Sequence, residues 1–496
     1  MGCRPDQWAK DWLDEQRAKG ETGLTVEKRG GMHIVRWATT KWDPETKKRV
    51  KVSEYRGVLS PDGILAEPRP RRSRVDVVQI ADSGNARLLA KVTEPLLGPL
   101  RFAFPKDHPE IVELAFARCL GRGELNKAGR CWNRLEDVLG LRPNTSAKSL
   151  SQTLERVGLS RGSQDMFFNR IHVNEGEMAV DMSVIFSKAS GAFMLKAGYN
   201  RFSMSSPQFN LLMGCGLASG RPQYMKVVPG NVKEGSAVSM LDEFEIPEGT
   251  ILVMDRGYSD RTLLEQIKEK GLDYIVAVKR NSNAYKVTDT KEGVFRWRRS
   301  AVAYGRRSFG EGEWAYRFEN LNHRNDELVD TLWAREQGKK RELGLDKAGN
   351  FVMISSKELD PKDVYRLYKT RCEIENCFDA AKNCLSADKM HMQDDAHVMG
   401  HLFITFLAMS IRFEITKLLD DADLLSAYSP EDVLDIYATM KVMTGDADIR
   451  QTVPKDVRDL DAKLGMFMYS TQEDLDRLNG VKRKRGRKPK ASEPSS

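Results

Sequence analysis

The chain has 496 residues, of which 40% are hydrophobic and 30% charged, and its net charge is +8. This composition suits a globular protein of roughly two to four domains. It excludes a membrane-spanning helix, since no apolar run approaches ~20 residues; the longest, 401–411, reads as a buried helix. The first residues, MGCRPDQWAKDW, hold no apolar signal region, and the expected location is cytoplasmic. Seven scattered cysteines without a CxxC argue against a disulfide framework or a zinc knuckle. Seven of the nine residues 482–490 are Lys or Arg. The basicity thus sits in a tail, which points to a polyanion partner.

In chain order, residues 1–30 read as a helix followed by loose, Gly-rich chain. MHIVRWATTKWD and KKRVKVSEYRGVLS alternate apolar and polar residues between turn signals, and predict two or three antiparallel strands. EPRPRRSR (67–74) is a basic, Pro-rich link: a solvated loop, or else a contact to a DNA backbone. Helices are expected in ARLLAKVTEPLL, HPEIVELAFARCLG, CWNRLEDVLG and AKSLSQTLERVG. These could form a DNA reader or a plain bundle.

From residue 177 the pattern becomes α/β. MAVDMSVIFS is a strand, 209–230 a hairpin turning near Ser219 and Gly220, 235–244 a helix, ILVMDRGYS a strand, 260–270 a helix and 273–279 a strand. Residues 285–350 read as a β-rich insertion, with WAYRFE and ELVDTLWAR as strand candidates. NFVMISS is a further strand. It precedes one helix over 363–385, a buried helix over 399–419 and more helices up to 479. The tail has the composition of a disordered segment.

Three carboxylates stand out. Asp181 interrupts an apolar strand, and Asp255 ends another. A carboxylate in such a place must be hydrogen-bonded, paired or metal-bound, and a structural cap is the alternative to a ligand. Glu375 lies on the helix 363–385, in line with Tyr368, Arg371 and Lys382 at helix-face separations beside the apolar stripe of Leu367, Ile374 and Phe378. Glu373 points roughly the other way, towards water. Two strand carboxylates and one helix carboxylate can hold hard divalent ions for phosphodiester chemistry. An amphipathic helix with an ordinary Arg–Glu pair is the plainer reading.

Tyr368-x2-Arg371-x3-Glu375-x6-Lys382 resembles the Tyr-Arg-Glu-Lys signature of bacterial DDE transposases of the insertion sequence 4 superfamily. The β-rich N-terminus and MHMQDDAHVMGHLFITFLAMSIRF look most like the insertion sequence 1634 branch. Glu375 follows Asp255 by 120 residues, a gap that the β-rich insertion fills. The resemblance implies a ribonuclease-H-like α/β core, a mixed β-sheet with flanking helices. It implies Asp181, Asp255 and Glu375 as catalytic metal ligands for Mg2+, for which Mn2+ can substitute, and Tyr368, Arg371 and Lys382 as contacts to transposon-end DNA. The activity implied is cleavage at transposon ends and joining of the 3′ ends to target DNA. The partners implied are double-stranded DNA (terminal inverted repeats and target) and a second copy or more of the chain on that DNA, with no membrane, in a bacterial nucleoid setting. A catalytically inactive DNA-binding descendant and a non-transposing nuclease are the alternatives.

The corresponding division is 1–75, a helix and small β region; 76–170, helical and a candidate for DNA binding; 171–284 with 350–415, the core; 285–349, the insertion; 416–480, helical; and 481–496, the basic tail. Trp297, among Arg296, Arg298 and Arg299, suits stacking on an exposed base or half-burial in a strand. Arg485-Gly486-Arg487 resembles an AT-hook core, although Lys488 displaces the usual proline, so phosphate binding is the stronger reading. His397 and His401, four apart, form a metal pair or pack in a helix; with no third ligand near, packing is favoured.

Overall fold

A computed structural model describes residues 4–43, 48–66, 79–187, 191–198, 207–233, 243–339, 348–384, 392, 394–444, 449–471 and 473–475. The link 67–74, most of the expected helix 235–244 and the tail with Arg485 and Arg487 lie outside these. Two compact units result, 1–79 with 445–447, and 80–444 with 448–496.

In the first unit, α1 (Gln7–Ala18) covers an antiparallel sheet of order β1-β2-β3-β4, from β1 (Leu24–Arg29), β2 (Met32–Asp43), β3 (Lys48–Leu59) and β4 (Leu65–Ala66). The Gly-rich stretch expected to be loose is therefore partly strand. Its alternation Leu24, Val26 faces a small core with Ala9, Val35 and Leu59. Gly57 sits where the ladder shifts register near Val35; its φ is 145° and a Cβ there would meet the Ala66 carbonyl oxygen at 2.0 Å.

From residue 80 on, the second unit holds the rest of β5 (Gln79–Asp82) and then five helices: α2 (Gly84–Ala103), α3 (His108–Cys119), α4 (Leu125–Trp132), α5 (Ala147–Leu159) and α6 (Arg161–Ile171). CWNRLEDVLG, expected as a helix, is helical only through Trp132. Beyond it, Asp82 N–H donates to the Arg134 carbonyl and Glu136 N–H to that of Asp82, so backbone pairing with β5 displaces the helix. These helices surround α12 (Asp395–Asp421), which is apolar on most of its circumference and correspondingly buried. Phe104, Phe167 and Phe168 pack against Phe403.

Helices α5 and α12 cross at two glycines. A Cβ on Gly400 would meet the Leu154 carbonyl oxygen at 2.0 Å, and one on Gly158 the Ala396 oxygen at 1.7 Å. Gly400→Val should therefore destabilise the fold by about 3 kcal/mol or more, read as a lowered urea midpoint. Arg118 on α3 reaches across to α12. Its Nη1 donates to the His401 carbonyl oxygen at 2.9 Å, and its Nη2 lies 2.9 Å from His401 Nδ1. His397 bonds Asp394 and Ser151. The two histidines thus serve packing.

Glu113, on α3, is fully buried, and neither carboxyl oxygen has a hydrogen-bond partner among the described residues. Burial, aided by Glu110, raises its carboxyl from 4.5 to about 8. The folded state keeps the proton that the unfolded state loses above 4.5, so stability falls as pH rises from there towards 8. Glu113→Gln cannot ionise. It should match the wild type near pH 4.5 and exceed it by about 3 kcal/mol at pH 7, a difference that denaturant melts at the two pH values measure.

The large sheet has the order β12-β13-β14-β15-β11-β10-β6-β8-β7, with β9 also paired to β8. Its central strands are β6 (Glu177–Phe186), β7 (Lys196–Ala197), β8 (Pro207–Gly216), β9 (Pro222–Pro229), β10 (Ile251–Met254) and β11 (Asp273–Ala277). β6, β8 and β9 form an antiparallel meander, and β10 and β11 then lie parallel to β6, with α7 (Arg261–Glu269) connecting them. The two parallel pairings are buried, matching their unbroken apolar runs.

The insertion, with α8 (Ala284–Val287), β12 (Gly293–Trp297), β13 (Ser300–Gly310), β14 (Glu313–Asn320) and α9 (Leu321–Glu336), extends this same sheet through β15 (Asn350–Ser355). ELVDTLWAR is helical in α9, not a strand. The Asn320 side chain accepts from the N–H groups of Asn322 and His323 and starts the helix, whose buried Thr331 and Ala334 are three apart. Glu313 fastens the insertion to the core. It is buried and accepts from Tyr274 Oη (2.5 Å), Arg261 (2.6 Å) and Lys268 (2.9 Å). The chain finishes with α10 (Pro361–Thr370), α11 (Cys372–Asp379), α12, α13 (Pro430–Tyr437), the hairpin β16 (Lys441–Thr444) and β17 (Ile449–Thr452), and α14 (Lys455–Leu464). Among the described residues no helix is long and apolar enough to cross a membrane.

Candidate active site

The sheet register brings the two aspartates together. Val180 on β6 is paired with Met254 on the parallel strand β10. Asp181 is the next residue on β6 and Asp255 directly follows β10, so the paired strand ends bring the two aspartates near each other. Each carboxylate also turns onto local backbone: Asp181 Oδ1 accepts from Met182 N–H (2.8 Å) and Asp255 Oδ1 from Arg256 N–H (2.7 Å).

The helix expected over 363–385 is broken. α10 ends at Thr370, and Ile374 N–H bonds the Arg371 carbonyl three residues back, where a continuous α-helix would use the fourth. After α11 the chain makes a π-turn at Ala380–Cys384. Both irregularities fall at residues with tertiary partners. Arg371 Nη1 reaches Asp181 Oδ2 at 2.9 Å while its Nη2 lies 3.9 Å from Glu375 Oε1. Lys382 Nζ donates to Ser183 Oγ at 2.6 Å. A single guanidinium thus joins the β6 carboxylate to the α11 carboxylate.

Tyr368 completes the group, donating from its hydroxyl to Asp255 Oδ1 at 3.3 Å with the Arg371 guanidinium 5.5 Å from its ring centre. Asp181 and Arg371 are largely enclosed, whereas the Glu375 side chain is 63% exposed and free to turn. The Glu373 side chain and His391 lie outside the described residues.

The electrostatics follow from this packing. Burial pushes the Asp181 carboxyl above the usual carboxylate range; Arg371 and the Met182 N–H pull it down, and the charges of Asp255 and Glu375 push it up further. Burial lowers the Arg371 guanidinium, but Asp181, Tyr368, Asp255 and Glu375 outweigh it and hold the cation more firmly. Burial and Asp255 raise the Tyr368 hydroxyl to about 12, so it remains a donor. The charges of Asp255 and Glu375 thus bear on Asp181, beside the one arginine that pairs with it. Among the described residues no three His, Cys, Asp or Glu side chains are gathered closely enough to hold a metal as they stand.

Trp297 is not in this group. It is half-buried on β12 with its ring against Tyr365 (5.5 Å, 69°), and Tyr365 and Tyr368 both pack on Phe351. An aromatic chain thus runs from the insertion to the carboxylate site. Ser183 was not anticipated from the sequence. It lies two residues after Asp181 on the same strand face, a period-2 signal that was available.

Residues 187–411 match the family model of the transposase DDE domain. This stretch takes in Asp255, Tyr368, Arg371, Glu375 and Lys382 and begins six residues after Asp181. Among solved structures the chain is similar to a piggyBac transposase synaptic complex with hairpin DNA, at 9% identity and a TM-score of 0.38, covering 80% of this chain and 75% of that one. No curated protein sequence matches the chain.

Proposed function

We propose that the protein is a DNA transposase that cleaves at transposon ends and joins the 3′ ends to target DNA. The observation that carries this reading is the adjacency of Asp181 on β6 and Asp255 just after the parallel strand β10, with Glu375 linked to Asp181 through Arg371. The match to the transposase DDE domain supports it. The order β9-β8-β6-β10-β11, three antiparallel strands followed by two parallel ones, supports a ribonuclease-H-like core. The Tyr368–Lys382 signature supports the insertion sequence 4 superfamily, and the β-rich N-terminus with the run 390–413 supports the insertion sequence 1634 branch within it.

Asp181, Asp255 and Glu375 would hold divalent cations, Mg2+ with Mn2+ as substitute. The donor set is all carboxylate oxygen, which suits hard ions, and the exposed Glu375 can turn inward. When bound, such ions activate a water or 3′-hydroxyl and stabilise the leaving oxygen. The remaining tasks fall to the chain itself. Arg371 neutralises the carboxylates and is placed to meet a phosphate, Lys382 adds a second cation on the same strand face, and the Tyr368 hydroxyl fixes Asp255. Acting on two ends calls for a dimer or higher assembly on DNA.

Short inverted repeats should bracket the gene. A labelled duplex ending in them, incubated with the full chain and Mg2+, should be cut at the 3′ ends and then joined to a second duplex. Cutting without joining indicates a non-transposing nuclease; binding without cutting indicates an inactive descendant.

A further inference from the structure

A cleft of about 880 Å³ opens between β5, α4, α12 and α13, and none of its lining residues belongs to the carboxylate site. Arg122, Lys127, Arg130 and Arg134 line one wall. On the other, Arg412 and Lys441 are already engaged with Glu431 and Asp82, which leaves Asp435 as the remaining acid of the lining. The four cations are therefore in excess.

Their surroundings keep them so. Lys127 has only an exposed contact to Glu124, and Arg122 and Arg134 form no ion pair among the described residues. The acid nearest Arg134 in sequence, Glu136, is consumed by a two-pronged pair with Arg87 (2.8 and 2.9 Å) and by Ser83. The wall is also rigid. Gly129 presses α4 against the Thr145 carbonyl, where a Cβ would come within 2.2 Å, and the Arg134 carbonyl is tied to Asp82 N–H at 2.7 Å. One further polar group lies at the cleft. Asn85 lines it, is 3% exposed, and its Oδ1 has no partner among the described residues. A buried acceptor left unmet is costly; a phosphodiester offers no donor to it, so water carried in with the backbone is what would satisfy it.

Clustered cations on a fixed concave wall suit phosphate esters. We propose that this cleft is a second, sequence-independent DNA site, holding the phosphodiester backbone of a duplex away from the strand ends that react. That the polyanion is DNA rests on the transposase reading; the cleft itself does not.

The test is the salt dependence of binding between the full chain and a short duplex of arbitrary sequence, without divalent cations. Removing one cation that neutralises a phosphate makes the slope of log K against log salt shallower by about 0.9. Arg130→Ala/Arg134→Ala should therefore flatten the slope by about 2 and weaken binding about tenfold at low salt. Arg122→Ala/Lys127→Ala should behave alike, with unchanged melting temperature in both. If the wild type binds the duplex and both variants keep its slope and affinity, the cleft proposal fails while the transposase reading stands. If the wild type binds no duplex of arbitrary sequence, the cleft proposal fails, and the transposase reading stands or falls by end cleavage alone. If ATP raises the melting temperature of the wild type but not of the variants, while the DNA slopes agree, the cleft serves free nucleotides and the DNA assignment is overturned.

Discussion

Glu375→Gln is expected to lower metal-dependent end cleavage by about a thousandfold, while folding and duplex binding stay as in the wild type. The side chain is 63% exposed, and among the described residues its ion pair in the site is with Arg371 at 3.9 Å. An isosteric exchange at such a position changes stability by no more than about 0.5 kcal/mol. It removes one of three charges that would hold the cations, whose stabilisation of a phosphoryl transition state is worth several kcal/mol. A loss of about 4 kcal/mol corresponds to the thousandfold effect. Glu373→Gln is the matched control and should cut at the wild-type rate. The measurement is the initial rate of 3′-end nicking on labelled duplex. A Glu375→Gln rate within about tenfold of wild type would separate Glu375 from the chemistry.

Arg371→Ala should have the largest effect on the apo protein. Arg371 is the cation that keeps Asp181 paired in an enclosed setting where Asp255 and Glu375 add further negative charge. Removing one partner of a buried pair leaves its charge uncompensated and costs about 3–5 kcal/mol. The melting temperature should fall sharply in EDTA and recover in part with Mg2+ or Mn2+, because a cation at the carboxylates replaces the missing charge. Arg371→Lys should lose less, keeping the charge without the two-pronged reach to Asp181 and Glu375. Thermal melts with and without metal distinguish this role from simple packing: a packing defect would not respond to the ion.

Each candidate site residue could be picked out of the sequence by its place in a local pattern. Asp181 interrupts an apolar strand, Asp255 ends one, and Glu375 shares a helix line with Tyr368 and Arg371. Their convergence was not legible from pattern alone. It depends on β6 and β10 lying side by side with Val180 opposite Met254, a long-range pairing that period-2 alternation does not encode. The break at Arg371 was hidden for a related reason. Apolar periodicity continues from Leu367 to Phe378 across it, so only the tertiary partners of Arg371 and Lys382 reveal where the helix gives way. The insertion could be read as β-rich but not as an extension of the core sheet, since its attachment runs through β15 and the buried Glu313. ELVDTLWAR misled because Val329, Thr331 and Trp333 are strand-favouring residue types, whereas its apolar pairs 328/329 and 332/333 recur four apart as on a helix, which the Asn320 cap starts.

The central claim is that Asp181, Asp255 and Glu375 form one divalent-cation site. Mn2+ binding to the full chain, followed by electron paramagnetic resonance, tests it without recourse to activity. The wild type should bind Mn2+, and Asp181→Asn, Asp255→Asn and Glu375→Gln should each weaken that binding by about tenfold or more. Equal Mn2+ binding by the wild type and all three variants would contradict the claim.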